Sequence, residues 1–474
     1  MPRRSPRLTG SAAQSELAAA LAALRSDLGI PDGFPAAVLA EADAAAKATP
    51  DGTVEDLRDI EFCTIDPEGS TDLDQALHLT RDGAGFTVHY AITDVPWFVT
   101  PAGAIDQEAR RRGQTMYAPD GRVSLHPEVL SEGAASLLPD QDRPAFVWRF
   151  ALDSRYDVRS VDLVHAQVRS RRKWSYSAAQ QAVDDGSAPE SLALLLPFGR
   201  GRSALEAERG GASLDLPAAE VVLTERGYAI QRRMPLPVEE ANAQLSLMTG
   251  MAAATIMMEG GIGILRTMPP AEQSAVEEFR HKARLLGLPW PQGLPYGDYL
   301  RGLDRSDSQA LAVLQAATSL FRGAGYRAFD GSTPEQPIQA AIAAPYAHVT
   351  APLRRLVDRF TLTVCAALGS GRPVPDWARS ALPELPKIMA ASDQIAARLD
   401  SGARDRVEAA LLVDHVGEVF DAVVLSRDDK KSRIELSDPA VSASVPATGE
   451  PGQQLRVRLE SAEIATGTTI FSLA

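Results

Sequence analysis

Four carboxylates, Asp66, Glu68, Asp72 and Asp74, fall within nine residues of CTIDPEGSTDLDQALHL, the stretch from Cys63 to Leu79 that lies between apolar segments. Carboxylates gathered in one pocket raise one another's pKa unless a cation neutralises them, and hard divalent ions take oxygen ligands. A metal site is one reading of this spacing. A helix start is another, with Ser70 or Thr71 as N-cap and Asp74 in a capping-box-like place, which would leave the acids at the surface. An EF-hand calcium loop does not fit, because Thr71 stands where its sixth position needs glycine.

A second chemical stretch runs from Ala344 to Phe360, APYAHVTAPLRRLVDRF. Pro352 suits a first helical turn, and Leu353, Leu356, Val357 and Phe360 make a core stripe at helical spacing. Arg354 and Arg355 then lie in that first turn, where the helix dipole disfavours cations unless an anion sits among the free N–H groups. The alternative is an internal pair of Arg354 with Asp358 at i,i+4.

Two basic runs stand beside an aromatic residue: Arg110-Arg111-Arg112 ahead of Tyr117, and Arg169 to Lys173 ahead of Trp174. Arginines hold phosphates and aromatic faces stack bases, so either run could line a nucleic-acid groove; the first could equally complement the end of its own helix. Glu239 and Glu240 open a helix read from Val238 to Met258, where acids favour the positive helix end.

The elements that must position these groups follow from periodicity. Leu17, Leu21, Leu24 and Leu28 predict an amphipathic helix, and the turn from Gly29 to Gly33 leads into a second helix begun by Pro35. This module, residues 1–50, reads either as a helical hairpin packed on the main domain or as a helix-turn-helix. Strand signals follow at Glu61–Ile65, Ala76–Thr80, Phe86–Ile92 and Phe146–Leu152. If the second strand starts early, alternation puts Asp72 and Asp74 on one face and turns Gln75 away unless the backbone bulges. A hairpin is read at Glu225-Arg226-Gly227, and helices at Ala271–Leu286 and Ser308–Phe321. Five short strands between Gly417 and Leu473, with turns at Asp428-Asp429 and Pro451-Gly452, predict a small barrel of the OB type. The fold class is therefore α+β and multidomain: a helical module over 1–50, a large mixed domain over 51–405 and the barrel over 410–474.

Composition is compatible with this. Hydrophobic residues make up 45% and charged residues 23% of 474, which argues against disorder. The net charge of −14 counts against a uniformly basic nucleic-acid binder, but partners respond to local patches. Two distant cysteines, Cys63 and Cys365, offer neither a disulfide framework nor zinc spacing, so a reducing cytoplasm is expected. No leader-like start and no membrane span are expected.

Taken in order, TIDPEGSTDLDQA, the arginine-rich helix leading to Tyr117, the VEE of Val238 to Glu240, and YAHVTAPLRRLVDRF resemble the catalytic (RNB) domain of the ribonuclease II and ribonuclease R family over about Val54 to Leu399. The terminal barrel resembles the RNA-binding barrel that follows it there. No counterpart of the cold-shock barrels of larger members is expected ahead of it, where the helical module stands. The resemblance implies a 3′→5′ exoribonuclease that hydrolyses single-stranded RNA processively from its 3′ end to nucleoside 5′-monophosphates with Mg²⁺ or Mn²⁺. It assigns Asp66, Asp72 and Asp74 to catalysis and metal binding, with Gln75 where relatives carry a further aspartate ligand. It gives Tyr117 the terminal base, Glu239 the terminal nucleotides and Arg354 the scissile phosphate, with Arg355 beside it. A non-catalytic RNA-binding protein on the same fold is the alternative.

Overall fold

The structure is a computed structural model that describes the whole chain except residues 1–10, 48–53, 213–217, 225–226, 306, 428 and 440. Its centre is a six-stranded sheet. From edge to edge the order is Glu55–Asp56, Val158–Ser175, Phe62–Asp66, Gln75–Asp82, Gly85–Thr93 and Asp142–Leu152. The long strand Val158–Ser175 pairs antiparallel with Asp142–Leu152 up to Arg169, then parallel with Phe62–Asp66 from Ser170 onward, so the sheet closes on itself.

The sheet carries a different core on each face, as alternation requires. Leu77, Leu79, Val88, Tyr90, Phe146, Trp148 and Phe150 pack against the helices Glu190–Glu208, Pro237–Glu259 and Leu356–Gly369. On the other face Ala76, Ala91, Ala145, Val147 and Ala166 surround Leu73. The helix Pro237–Glu259 needs glycine at Gly250, since a Cβ there would lie 2.1 Å from the Tyr346 ring. That close approach lets the segment carrying Tyr346 and His348 lie on the helix, where the Ala347 N–H donates to the Gly250 carbonyl at 3.1 Å.

The N-terminal helices, Ser11–Asp27 and Ala36–Ala45, both dock on the main body, and into separate apolar clusters. The first packs on the long helix Leu385–Leu412, the second on Val95, Phe98, Ile105 and Leu353. That long helix runs through the boundary drawn between 405 and 410. The strands Ala218–Thr224 and Gly227–Arg233 pair antiparallel, while the turn residues Glu225 and Arg226 lie outside the described residues. Three further helices, Gln273–Leu285, Tyr296–Arg301 and Ser308–Ala317, form a satellite around Phe279 and Tyr299.

The C-terminal barrel has the five expected strands, ordered Ser442–Pro446, Lys431–Leu436, Val419–Arg427, Gln454–Glu463 and Thr468–Leu473, with the two outer strands lying against each other. The turn at Asp428-Asp429 falls partly outside the described residues. Phe420 and Phe471, the barrel's aromatic residues, are buried in its core, so neither offers a face to a base. Among the described residues no helix is long and apolar enough to cross a membrane.

Candidate active site

Asp66 ends the strand Phe62–Asp66, and Gln75 begins the next, so Asp72 and Asp74 belong to the connecting loop and not to a strand face as alternation suggested. Nor is this loop a helix start. Leu73, fully buried between the two acids, fixes the loop: its N–H donates to Ser136 Oγ at 2.9 Å and its carbonyl accepts the Leu137 N–H at 3.0 Å. An apolar anchor thus sets the direction of the acid on each side of it. Lys173 holds the outer part of the loop, donating to the Glu68 carbonyl at 2.9 Å and also to the Ser70 carbonyl.

Asp74 is 3% exposed. One of its oxygens accepts the Leu353 N–H at 2.8 Å, and the other lies 3.3 Å from Nε of Arg354. Burial pushes its carboxyl up to about 8, against the opposing pull of Arg354 and the Leu353 hydrogen bond, with Asp358 and Asp72 adding to the rise. Asp66 is pushed up to about 7, chiefly by burial and further by Asp72, while Arg354 and Lys173 oppose. The three acids therefore share one field, with Arg354 as the cation that acts on two of them.

The arginine pair is arranged differently from the sequence expectation. The helix begins at Leu356, with Arg355 as its N-cap residue, so Arg354 and Arg355 precede the first turn. Arg355, not Arg354, pairs with Asp358, through Nε at 2.9 Å and Nη2 at 2.8 Å. Asp358 is fully buried and also accepts the Ala351 N–H at 2.7 Å, so it fixes the loop ahead of the helix. Arg355 is thereby occupied, and Arg354 is left to reach the acids. Gln75 joins the same loop: its Nε2 donates to the Thr350 carbonyl at 2.5 Å.

Tyr117 stands on the hairpin Met116–Ala118 and Gly121–Val123, is 52% exposed, and its hydroxyl lies 3.4 Å from Asp72. Its register partner Arg122 is a cation that no sequence motif singled out. Arg122 donates to Asp72 at 2.7 Å and to Thr71 Oγ1 at 2.8 Å, and pairs with Glu132 at 2.6 Å.

Glu239 caps its own helix, accepting the Leu236 N–H at 3.3 Å, and is held by Arg233. This is the helix-end role weighed for it. Tyr176, another residue that no motif marked, lies two residues beyond Trp174; burial raises its pKa, Asp66 and Glu239 add to the rise, and a hydrogen bond with Asn242 opposes it.

The arginines of both basic runs have partners within the fold. Arg110 pairs with Asp106 at 3.2 Å, and Arg111 and Arg112 pair with Glu108 at 2.6 and 2.7 Å. In the second run Trp174 is buried beneath the Arg172 guanidinium, which lies 3.5 Å from its ring, and Arg169 is bound to Asp142 at 2.6 Å.

Among the described residues no three His, Cys, Asp or Glu side chains converge closely enough to hold a cation as they stand. The donor chemistry nonetheless fits a hard divalent ion. Asp66 and Asp74 are carboxyls that burial pushes up to about 7 and about 8, and the positive charge of a bound cation would lower them again and favour their carboxylate forms.

The chain belongs to the RNB-domain family. The RNB domain matches residues 54–367, and the RNase II-type exonuclease C-terminal S1 domain matches residues 418–474. Among individual proteins, it is 30% identical over 329 residues to the probable exosome complex exonuclease RRP44 of Caenorhabditis elegans, covering 66% of this chain and 34% of that protein. It is 28% identical over 324 residues to ribonuclease R of Escherichia coli, covering 64% and 39%. The chain therefore spans well under half the length of these two relatives. Among solved structures, RNase R of Mycoplasma genitalium in complex with ribose methylated single-stranded RNA has the same fold, with TM-score 0.87 at 18% identity over 97% of this chain and 78% of that one. Yeast Ssd1, a pseudonuclease, matches with TM-score 0.66 at 17% identity over 85% and 52%.

Proposed function

We propose that this chain is a divalent-metal-dependent 3′→5′ exoribonuclease that works processively in the cytoplasm on single-stranded RNA and releases nucleoside 5′-monophosphates. The observation that carries this reading is Asp74, buried and held between the Leu353 N–H and Arg354, in the shared field of Asp66 and Asp72. Such a set suits hydrolysis of a phosphodiester, where negative charge must be met at the phosphate and at the attacking and leaving oxygens.

Asp66, Asp72 and Asp74 would hold Mg²⁺ or Mn²⁺, which when bound activates water and stabilises the leaving 3′ oxygen. Arg354 would neutralise the negative charge carried by the non-bridging oxygens in the phosphorane-like transition state. Its Nε lies at the rim, on a side chain 46% exposed, beside a carboxylate that is only 4% exposed. Tyr117 offers its exposed ring to the terminal base, beside the Arg122–Asp72 pair. Glu239 and Tyr176 supply polar groups for the ribose, whose 2′-hydroxyl distinguishes RNA from DNA.

The test is incubation of 3′-terminally intact, labelled single-stranded RNA and matched DNA with the protein and Mg²⁺, with Asp74→Asn as control. Stepwise release of mononucleotides from RNA by the wild type alone is expected; intact RNA, or equal cleavage by the variant, would refute it. A second reading, RNA binding without cleavage, is favoured by Gln75, whose amide bonds Thr350 where the family resemblance expects a further carboxylate. Retention of RNA with no nucleotide release in Mg²⁺ or Mn²⁺ would select it.

A further inference from the structure

The N-terminal helices take no part in the chemistry above, yet they reach the acid site through the hairpin that carries Tyr117. Alternation divides this hairpin into two faces. Met116 and Val123, opposite one another in register, pack with Ala118 into the cluster formed by Leu17, Leu21 and Leu24. Tyr117 and Arg122, also opposite one another, contact Asp72. One face is thus bound to the first helix and the other to the catalytic loop.

The tip is fastened as well. Nη1 of Arg25, in the last turn of the helix Ser11–Asp27, lies 2.6 and 2.9 Å from the two oxygens of Asp120, and both side chains are less than one-fifth exposed. Gly121 follows with φ of 151°, a conformation that glycine tolerates best. The chain leading into the hairpin is fixed by the second helix. Glu41 accepts the Ala104 N–H at 2.5 Å, at the start of the helix Ala104–Arg112. At its end Arg112 donates to the Gly33 carbonyl and lies over the Phe34 ring at 3.7 Å. A two-stranded hairpin this short is marginally stable by itself, so its position depends on what it docks against.

We propose that the helical module is a brace that sets Tyr117 and Arg122 over the acids, with Arg25 and Asp120 as positioning residues for the RNA 3′ terminus. This rests on the exoribonuclease reading for its activity readout, but not for its structural one.

The test uses the full chain with Arg25→Ala, Asp120→Ala and Arg25→Lys. Because a single arginine nitrogen makes both contacts, lysine should preserve them. Each alanine variant should raise KM for short oligoribonucleotides about fivefold with little change in kcat, a fraction of what base stacking supplies. Amide hydrogen exchange at residues 116–123 should accelerate in the alanine variants and stay near wild type in Arg25→Lys. Unchanged KM and unchanged exchange in both alanine variants would overturn the brace, as would a fall in kcat with KM unaltered. If the wild type cleaves no RNA, the functional reading fails separately, and exchange at the hairpin still decides the brace.

Discussion

Asp74 and Arg354, 280 residues apart in the chain, meet with Oδ2 3.3 Å from Nε, while the other oxygen of the same carboxylate caps the Leu353 N–H at 2.8 Å. One side chain thus joins the acidic loop to the arginine loop, electrostatically and through the backbone. Asp74→Asn keeps an acceptor for Leu353 but removes the charge. Its melting temperature should stay close to wild type while RNA hydrolysis falls by at least about a hundredfold, as for loss of a principal electrostatic group. Asp74→Ala should also lose stability, by about 1–3 kcal/mol, because the buried N–H is left unpaired. Thermal melts alongside turnover assays separate the two effects.

The raised carboxyl groups predict how metal and pH interact. Without metal, the folded protein keeps protons on Asp66 and Asp74, at about 7 and 8, that an unfolded chain releases near pH 4. That contribution to stability is present below about pH 4 and is lost as pH rises through 7 to 8. A cation binds the deprotonated forms, so the gain in melting temperature on adding Mg²⁺ should be larger at pH 8.5 than at pH 5.5. Glu408, also pushed up to about 7 by burial, shifts the baseline in the same sense and cancels in the comparison with and without metal. An equal gain at both pH values would contradict the carboxylate assignment.

Gln75 gives a prediction opposite to the one its sequence position suggests. Its amide donates to the Thr350 carbonyl, and a carboxylate cannot make that bond. Gln75→Asp should therefore destabilise the protein by about 1–3 kcal/mol and leave the Mg²⁺ midpoint for activity no lower than in the wild type. A lower midpoint would show that the residue faces the metal.

Tyr117 should act through its ring. Its hydroxyl is 3.4 Å from Asp72, a long contact, whereas the ring is half exposed beside the acids. Tyr117→Phe should retain KM for RNA, and Tyr117→Ala should raise it about tenfold, in line with roughly 1–3 kcal/mol for a stacked base. Steady-state kinetics on short oligoribonucleotides measure both.

Much of this protein was legible in local pattern. The strands around the acids, the long helices and the five-stranded barrel follow from periodicity and turn residues, which depend on neighbours a few positions away. The acids and the arginine pair stood out by residue type and spacing, which left structural readings open beside the chemical ones, and the family resemblance singled out Tyr117 and Arg354. What the sequence could not determine was the use of each charge, because a charge acts on whatever tertiary contact brings within a few ångströms. Arg354 and Arg355 are adjacent and alike, yet one faces Asp74 and the other is bound by Asp358. The arginines of the basic runs are engaged by internal ion pairs, a backbone carbonyl and the Trp174 ring, whereas Lys173 of the second run holds the acid loop and Arg122 reaches it from a segment with no motif. Gln75 shows the same division: its position beside Asp74 was plain from the chain, but only the approach of the Thr350 loop decided that its amide would be spent on a backbone carbonyl.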